Sequence, residues 1–257
     1  KELVIPANED GTHQLEMNAL HIWPRGTYML IALPNLDGSF TCTLFFPFKG
    51  KYSFDSLTDD ASILSFFKEV FPDAVSLMPT LLQDFKGNPT SSLGIIRCFP
   101  WTVDDKVMLI GDASHATVPF YGQGMNSGFE DCSVFNELME KYGDDWEACF
   151  KAYELARKEN GDAIQDLSIH NFMVMRDKTA DPKFLLQKKI EKHFSTKYPD
   201  KWLPLYSMVT FSDIPYVKAW SLGQKQEAMM QEIICSPGIE KKWDFLEIEE
   251  RMLEMIG

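Results

Sequence analysis

The residues best suited to chemistry fall in one run. Gly111-Asp112-Ala113-Ser114-His115 is followed by Pro119-Phe120-Tyr121-Gly122-Gln123-Gly124-Met125-Asn126. The Asp112 carboxylate can accept hydrogen bonds from ribose or ribityl hydroxyls. Pro119 fixes the loop, and Gly122 and Gly124 let bare backbone approach a ligand. A helix opening near Gly124 aims free N–H groups and a partial positive charge at the same place. An anionic or electron-rich ligand is therefore favoured. Plainer roles stand beside these: Asp112 can cap a helix, and Gly122-x-Gly124-x-x-x-Gly128 misses the dinucleotide fingerprint by one position. His115, in a tight loop, reads as structural rather than as a general base.

The elements that must position this run follow from its flanks. Lys106–Gly111 reads as a short buried strand of a parallel sheet, which delivers Asp112 to the sheet edge where ligands bind. Gly122 to about Tyr142 has helical spacing. Upstream, Lys1–Ile5 reads as a strand, and Leu15–Trp23, Tyr28–Leu33 and Ser39–Phe46 read as strands of an antiparallel meander, separated by Pro24-Arg25-Gly26 and Pro34–Gly38. Met29, Ile31 and Leu33 share one strand face, and Tyr28, Leu30 and Ala32 the other. Both faces are apolar, so one covers a core and the other either a second layer or a ligand. Asp59-Asp60 opens a helix to Phe71, stopped by Pro72. Leu93–Phe99 is a further candidate strand. Downstream, helices are expected over about Trp146–Lys158, Ala163–Arg176, Pro182–Phe194, Pro215–Ile234 and Ile239–Ile256.

The expected fold is α+β: an antiparallel sheet domain over residues 1–100, a strand–loop–helix over 101–142, and a helical region over 143–257. A net charge of −13 excludes a nucleic-acid groove, which needs clustered Lys and Arg. The five cysteines form no CxxC and the five histidines show no zinc-like spacing, so reduced thiols and no metal are expected. No run of about 18 apolar residues exists and no secretory signal is present, which points to a cytoplasmic setting without a membrane anchor. The sequence does not set the oligomeric state.

Taken whole, the central run resembles the GD motif of the class A flavin monooxygenases, and the likeness continues through Phe129-Glu130-Asp131-Cys132. It is more similar to the kynurenine 3-monooxygenase version than to the general one. Leu20–Arg25, Ile31–Asn35 and Phe40–Phe45 resemble the substrate-domain strands of that family. Asp166-Leu167-Ser168, Asn171, Met175-Arg176 and Pro204–Phe211 are similar too. Lys49–Asp60 and Asp177–Leu203 resemble nothing in particular.

The resemblance implies FAD as cofactor, NADPH and dioxygen as co-substrates, and hydroxylation of L-kynurenine to 3-hydroxykynurenine through a flavin C4a-hydroperoxide. No side-chain nucleophile is implied, because the protein's share is to hold, orient and keep dry. Carried over by position, the cofactor contacts are Asp112, Pro119, Gly122, Gly124, Met125 and Asn126. Leu20, Met29, Ile31, Leu33 and Phe45 match the apolar wall around the substrate ring. Phe120 and Gln123 match loop positions that meet substrate or flavin, Asn171 and Tyr206 match polar contacts to the amino-acid end, and Met175 joins them. The plainer readings are a solvent-facing Asn171, a core Tyr206, and Met125 and Met175 as core fillers.

The family's opening strand–GxGxxG–helix does not occur in this sequence, and Lys1 already reads as mid-strand. The expectation is that residues 1–257 are a C-terminal portion of a longer enzyme and alone neither retain FAD tightly nor hydroxylate kynurenine. The hydrophobic tail of some eukaryotic members is also not found. Two other readings stand: a class A hydroxylase of another aromatic acid, and a non-catalytic ligand-binding or interaction module of the same fold.

Overall fold

The computed structural model describes residues 1–256, which divide into two compact units: Lys1–Ser92 with Val174–Ala180, and Leu93–Met173 with Asp181 onward. It is a mixed α+β chain.

The first unit is built on the meander. β1 (Glu2–Ile5), β2 (His21–Pro24), β3 (Met29–Pro34) and β4 (Phe40–Phe45) form one antiparallel sheet in the order β1-β4-β3-β2. Alternation decides its faces. Leu3, Ile5, Leu30, Ala32, Phe40, Cys42 and Leu44 form a core with Ile63, Phe66, Phe67 and Phe71. Met29, Ile31 and Leu33 point the opposite way, with Met29 paired to Phe45 and Ile31 to Thr43. The segment Leu15–Leu20 is not strand. Glu16 captures it: its carboxylate accepts the Asn18 N–H at 2.9 Å and its carbonyl meets His21 Nε2 at 2.9 Å, local bonds that compete with a ladder.

α1 (Asp60–Val70) starts where expected, because the Asp59 carboxylate accepts the Ser62 N–H at 2.8 Å and the Asp59 N–H donates to Ser62 Oγ. Pro72 ends it and also opens α2 (Pro72–Val75), taking the first helical position, where its missing N–H costs nothing. α3 (Leu81–Gly87) completes the layer. A five-residue π turn, Val174–Lys178, packs against β2, so Met175 folds with the sheet.

The second unit corrects two expected strands. Leu93–Phe99 has no regular structure, and only Val107–Met108 (β6) is strand, paired antiparallel with β5 (Thr102–Val103) rather than in a parallel sheet. Val103 and Val107 are more than half exposed. Among the described residues no further strand lies beside them to extend the ladder. A one-turn helix, α4 (Asp112–His115), follows β6, and α5 (Gly124–Tyr142) ends on Gly143 at φ +56°.

The two helices expected over 146–176 are one, α6 (Trp146–Met173). Gly161 falls in the gap between those two expected spans, yet lies inside α6. A Cβ there would stand 2.8 Å from the Trp101 ring and 3.2 Å from His115, so packing rather than helix termination selects glycine. α7 (Pro182–Lys197), α8 (Leu205–Thr210) and α9 (Tyr216–Ile234) follow. The final helix is divided into α10 (Ile239–Lys242) and α11 (Leu246–Ile256). At the division the Trp243 ring takes Lys189 at 4.0 Å and the edge of His193 at 5.6 Å, an anchor on α7. Ile190, Phe194, Met230, Ile233, Ile248 and Met252 make the core of α7, α9 and α11. Among the described residues no helix is long and apolar enough to cross a membrane.

Candidate functional site

The second unit brings the central run together as a wall. Gly111 turns the chain at φ +60°, a conformation open to glycine, and α4 then carries Asp112 into solvent. Gly122 makes a second such turn at φ +67° just before α5. A cleft of about 670 Å³ opens between them, and Asp112, Pro119, Gly122, Gly124 and Met125 all line it. Thr117, Gly128, Phe129 and Cys132 complete its walls.

The cleft fits an elongated, partly apolar ligand with hydroxyls and an anionic part. A Cβ on Gly122 would meet nothing within 4 Å, and on Gly124 or Gly128 only ordinary contacts at 3.6 and 3.9 Å. At Gly124 and Gly128, then, protein packing does not demand glycine, and the missing side chains leave open the space a cofactor would fill. Thr117 Oγ1 is buried on the same wall without a hydrogen-bond partner, a polar atom that a bound group could satisfy. The N-terminus of the 19-residue α5 supplies unpaired N–H groups beside it.

Asn126 does not line the cleft but stands one residue beyond it, half of a locked amide pair. Gln123 is buried, and its Oε1 accepts the Asn126 Nδ2–H at 3.1 Å and the Tyr216 hydroxyl at 3.2 Å. Burial, with Glu130 nearby, pushes the Tyr216 phenol up to about 12, so it remains a donor. Gln123 thus works as a brace between α9 and the start of α5.

The polar substrate candidates of this unit are also engaged. Asn171 on α6 donates from Nδ2 to the Phe120 carbonyl at 2.7 Å, which ties the loop to the helix. Phe120 packs on Phe172 with centroids 4.5 Å apart. Tyr206 is half exposed and stacks on Tyr121 at 5.6 Å and 25°. Burial, reinforced by Tyr206, raises the Tyr121 phenol above its ordinary value. In the first unit, Met29 is fully buried and Ile31 nearly so, on the sheet face away from the main core; Leu33 and Leu20 are over two-fifths exposed, Phe45 is partly buried and Met175 buried.

Thr117, Tyr121 and Tyr216 were not singled out from sequence. Thr117 and Tyr121 lie inside the run, where a polar or aromatic residue between the fixed points is the available signal. Tyr216 has none, since it meets Gln123 from 93 positions away.

Residues 97–168 match the family described as FAD binding domain. The chain is 60% identical over 256 residues to a protein named kynurenine 3-monooxygenase from Flavobacterium johnsoniae, covering 100% of this chain and 57% of that one. It is 57% identical over 257 residues to the one from Flavobacterium psychrophilum, again across 100% of this chain and 58% of the relative. The Dictyostelium discoideum protein of the same name is 45% identical over 246 residues, 91% of this chain and 54% of that one. The chain thus spans somewhat more than half the length of the relatives it matches. Among solved structures, the tetrameric form of 2-methyl-3-hydroxypyridine-5-carboxylic acid oxygenase matches with a TM-score of 0.51 at 20% identity, over 70% of this chain and 48% of that one, a likeness of fold. The segment that carries the cleft is thus similar to FAD binding domains. Across its length, the chain is similar to proteins named kynurenine 3-monooxygenase.

Proposed function

We propose that this chain is the substrate- and flavin-facing portion of an FAD-dependent monooxygenase that uses NADPH and dioxygen to hydroxylate L-kynurenine beside its ring amino group. The observation that carries the reading is the cleft: five of the residues matched to the family's flavin contacts, Asp112, Pro119, Gly122, Gly124 and Met125, line one cavity within a segment matching an FAD binding domain. Bound FAD supplies the oxygen-activating and hydroxylating chemistry. The chain's own residues do the rest. Asp112 accepts hydrogen bonds from the sugar-alcohol hydroxyls, and Thr117 Oγ1 offers a further polar contact. Met125 and Asn126 begin α5, whose N–H groups favour negative charge on a neighbouring ring system. Gln123 and Tyr216 keep that helix start rigid.

For the substrate, Leu20, Met29, Ile31, Leu33, Phe45 and Met175 of the first unit are proposed as an apolar wall that excludes water from the ring. Phe120 and Gln123 of the second unit are proposed as loop positions that meet substrate or flavin. Asn171 and Tyr206 are proposed to meet its amino-acid end. The amino group donates electron density to the adjacent ring carbon, so binding needs only to orient that carbon. The cytoplasm is the proposed location, in keeping with five free cysteines.

The test is an NADPH-oxidation assay of the full-length protein over a panel of aromatic acids. Kynurenine is expected to stimulate oxidation most. Stimulation by another aromatic acid and not by kynurenine would leave the hydroxylase class standing and remove this substrate.

A further inference from the structure

His115 of the central run and Asp131, in the stretch that follows it, take no part in the flavin contacts proposed above, yet both are buried and joined. His115 Nε2 lies 2.6 Å from Asp131 Oδ2. The same oxygen accepts the Gly111 N–H at 3.0 Å, and Oδ1 accepts Arg157 Nε at 2.6 Å. Since an ionised carboxylate only accepts, His115 must carry its proton on Nε2 here. Arg157, reaching from α6, also binds Glu130 Oε1 at 2.9 Å and the Ser127 carbonyl at 3.3 Å. Asp131, His115 and Arg157 are each at most 2% exposed.

The topology of these bonds matters more than their number. Gly111 is the residue immediately before α4, and His115 is its last residue. One carboxylate oxygen therefore holds both ends of a one-turn helix, and the first residue of that helix is Asp112. A four-residue helix has too few internal bonds to fix its own orientation. Trp101 closes the other side of His115, with ring centroids 5.5 Å apart, and Gly161 leaves room for both rings.

We infer that Asp131 is a positioning residue for the flavin site: through Gly111 and His115 it orients α4 so that Asp112 faces the cleft, while Arg157 neutralises it from the far side. The inference rests on the cleft being the FAD site. It assigns His115 a tethering rather than a proton-transfer task.

The experiment is a fluorescence titration of FAD into apoprotein of the full-length chain, alongside thermal melts. Asp131→Asn must set an amide N–H against either the Gly111 and His115 donors or Arg157, so it weakens the network at its centre. If that variant does not fold, the His115 pair decides. His115→Gln retains a donor near the Nε2 position, and His115→Leu removes it while filling the space. His115→Leu is expected to weaken FAD binding by about tenfold, the loss of one hydrogen bond to a charged group. His115→Gln is expected to restore affinity to about twofold of wild type. If both variants bind FAD as wild type does and only their melting temperatures fall, the network is structural and the inference is wrong. If the wild-type protein itself binds no FAD, it is the cofactor reading that fails instead.

Discussion

The Tyr216 hydroxyl donates to Oε1 of Gln123 across 3.2 Å, joining α9 to the residue that precedes α5. That oxygen has one other donor, Asn126 Nδ2. Tyr216→Phe keeps the ring and leaves the Gln123 acceptor half satisfied, so it should lower stability by about 1 kcal/mol. Gln123→Ala should cost more, since it strands a buried hydroxyl and opens a cavity, about 2 kcal/mol or above. Urea midpoints of the two variants read the order directly, and wild-type midpoints in both would mean the brace carries no weight.

Gly124 separates cofactor space from protein packing. A Cβ there touches only Thr117 Cγ2, at an ordinary 3.6 Å, and glycine at a helix start can give way to alanine at no loss of stability. Gly124→Ala is therefore expected to melt at or slightly above the wild-type temperature, yet to bind FAD about tenfold more weakly, because the methyl enters the cleft wall. Unchanged affinity would place the cofactor elsewhere.

Gly161 makes the opposite case. Alanine gains about 1 kcal/mol in helix propensity. Its Cβ would meet the Trp101 ring at 2.8 Å and His115 at 3.2 Å, and overpacking of this kind costs about 1–3 kcal/mol. The net expectation is a lower melting temperature with altered Trp101 fluorescence. A stabilised protein would show that the contact relaxes freely.

Acid should act through Asp131. Burial would raise its carboxyl, but hydrogen bonds from His115 and Arg157 and their charges hold it below the ordinary value. Glu130 and the protonated Tyr153 phenol face the same cluster. A group whose folded pKa is depressed contributes stability above its unfolded value of about 4 and loses it as pH falls through the folded one. Melting temperature should thus hold from neutral pH to about 4 and drop below it, with a shallower acid limb in Asp131→Asn. Parallel acid limbs would exclude Asp131 as a contributor.

Much of this was legible in the sequence where the signal is local. The Asp59 cap, the alternation of Met29, Ile31 and Leu33 against Leu30 and Ala32, and the gathering of Asp112, Pro119, Gly122, Gly124 and Met125 all follow from neighbours a few residues apart. The failures have tertiary causes. Lys106–Gly111 has the composition of a buried parallel strand, but a strand exists only with a partner, and among the described residues β5 alone offers one. The gap expected between Lys158 and Ala163 is helical, and the glycine in it, Gly161, answers to packing against Trp101. Tyr216 and Arg157 carry no motif, because what they do depends on which elements the fold sets beside them.

The proposed flavin-dependent hydroxylation of kynurenine, served by the cleft before α5, would leave an isotopic signature in its product. The most direct measurement is mass spectrometry of the product formed by the full-length protein, supplied with FAD, NADPH, kynurenine and isotopically labelled dioxygen. Hydroxykynurenine carrying one labelled oxygen is expected, formed only when FAD is present. Product formed without FAD, or hydroxykynurenine whose new oxygen is unlabelled, would contradict it.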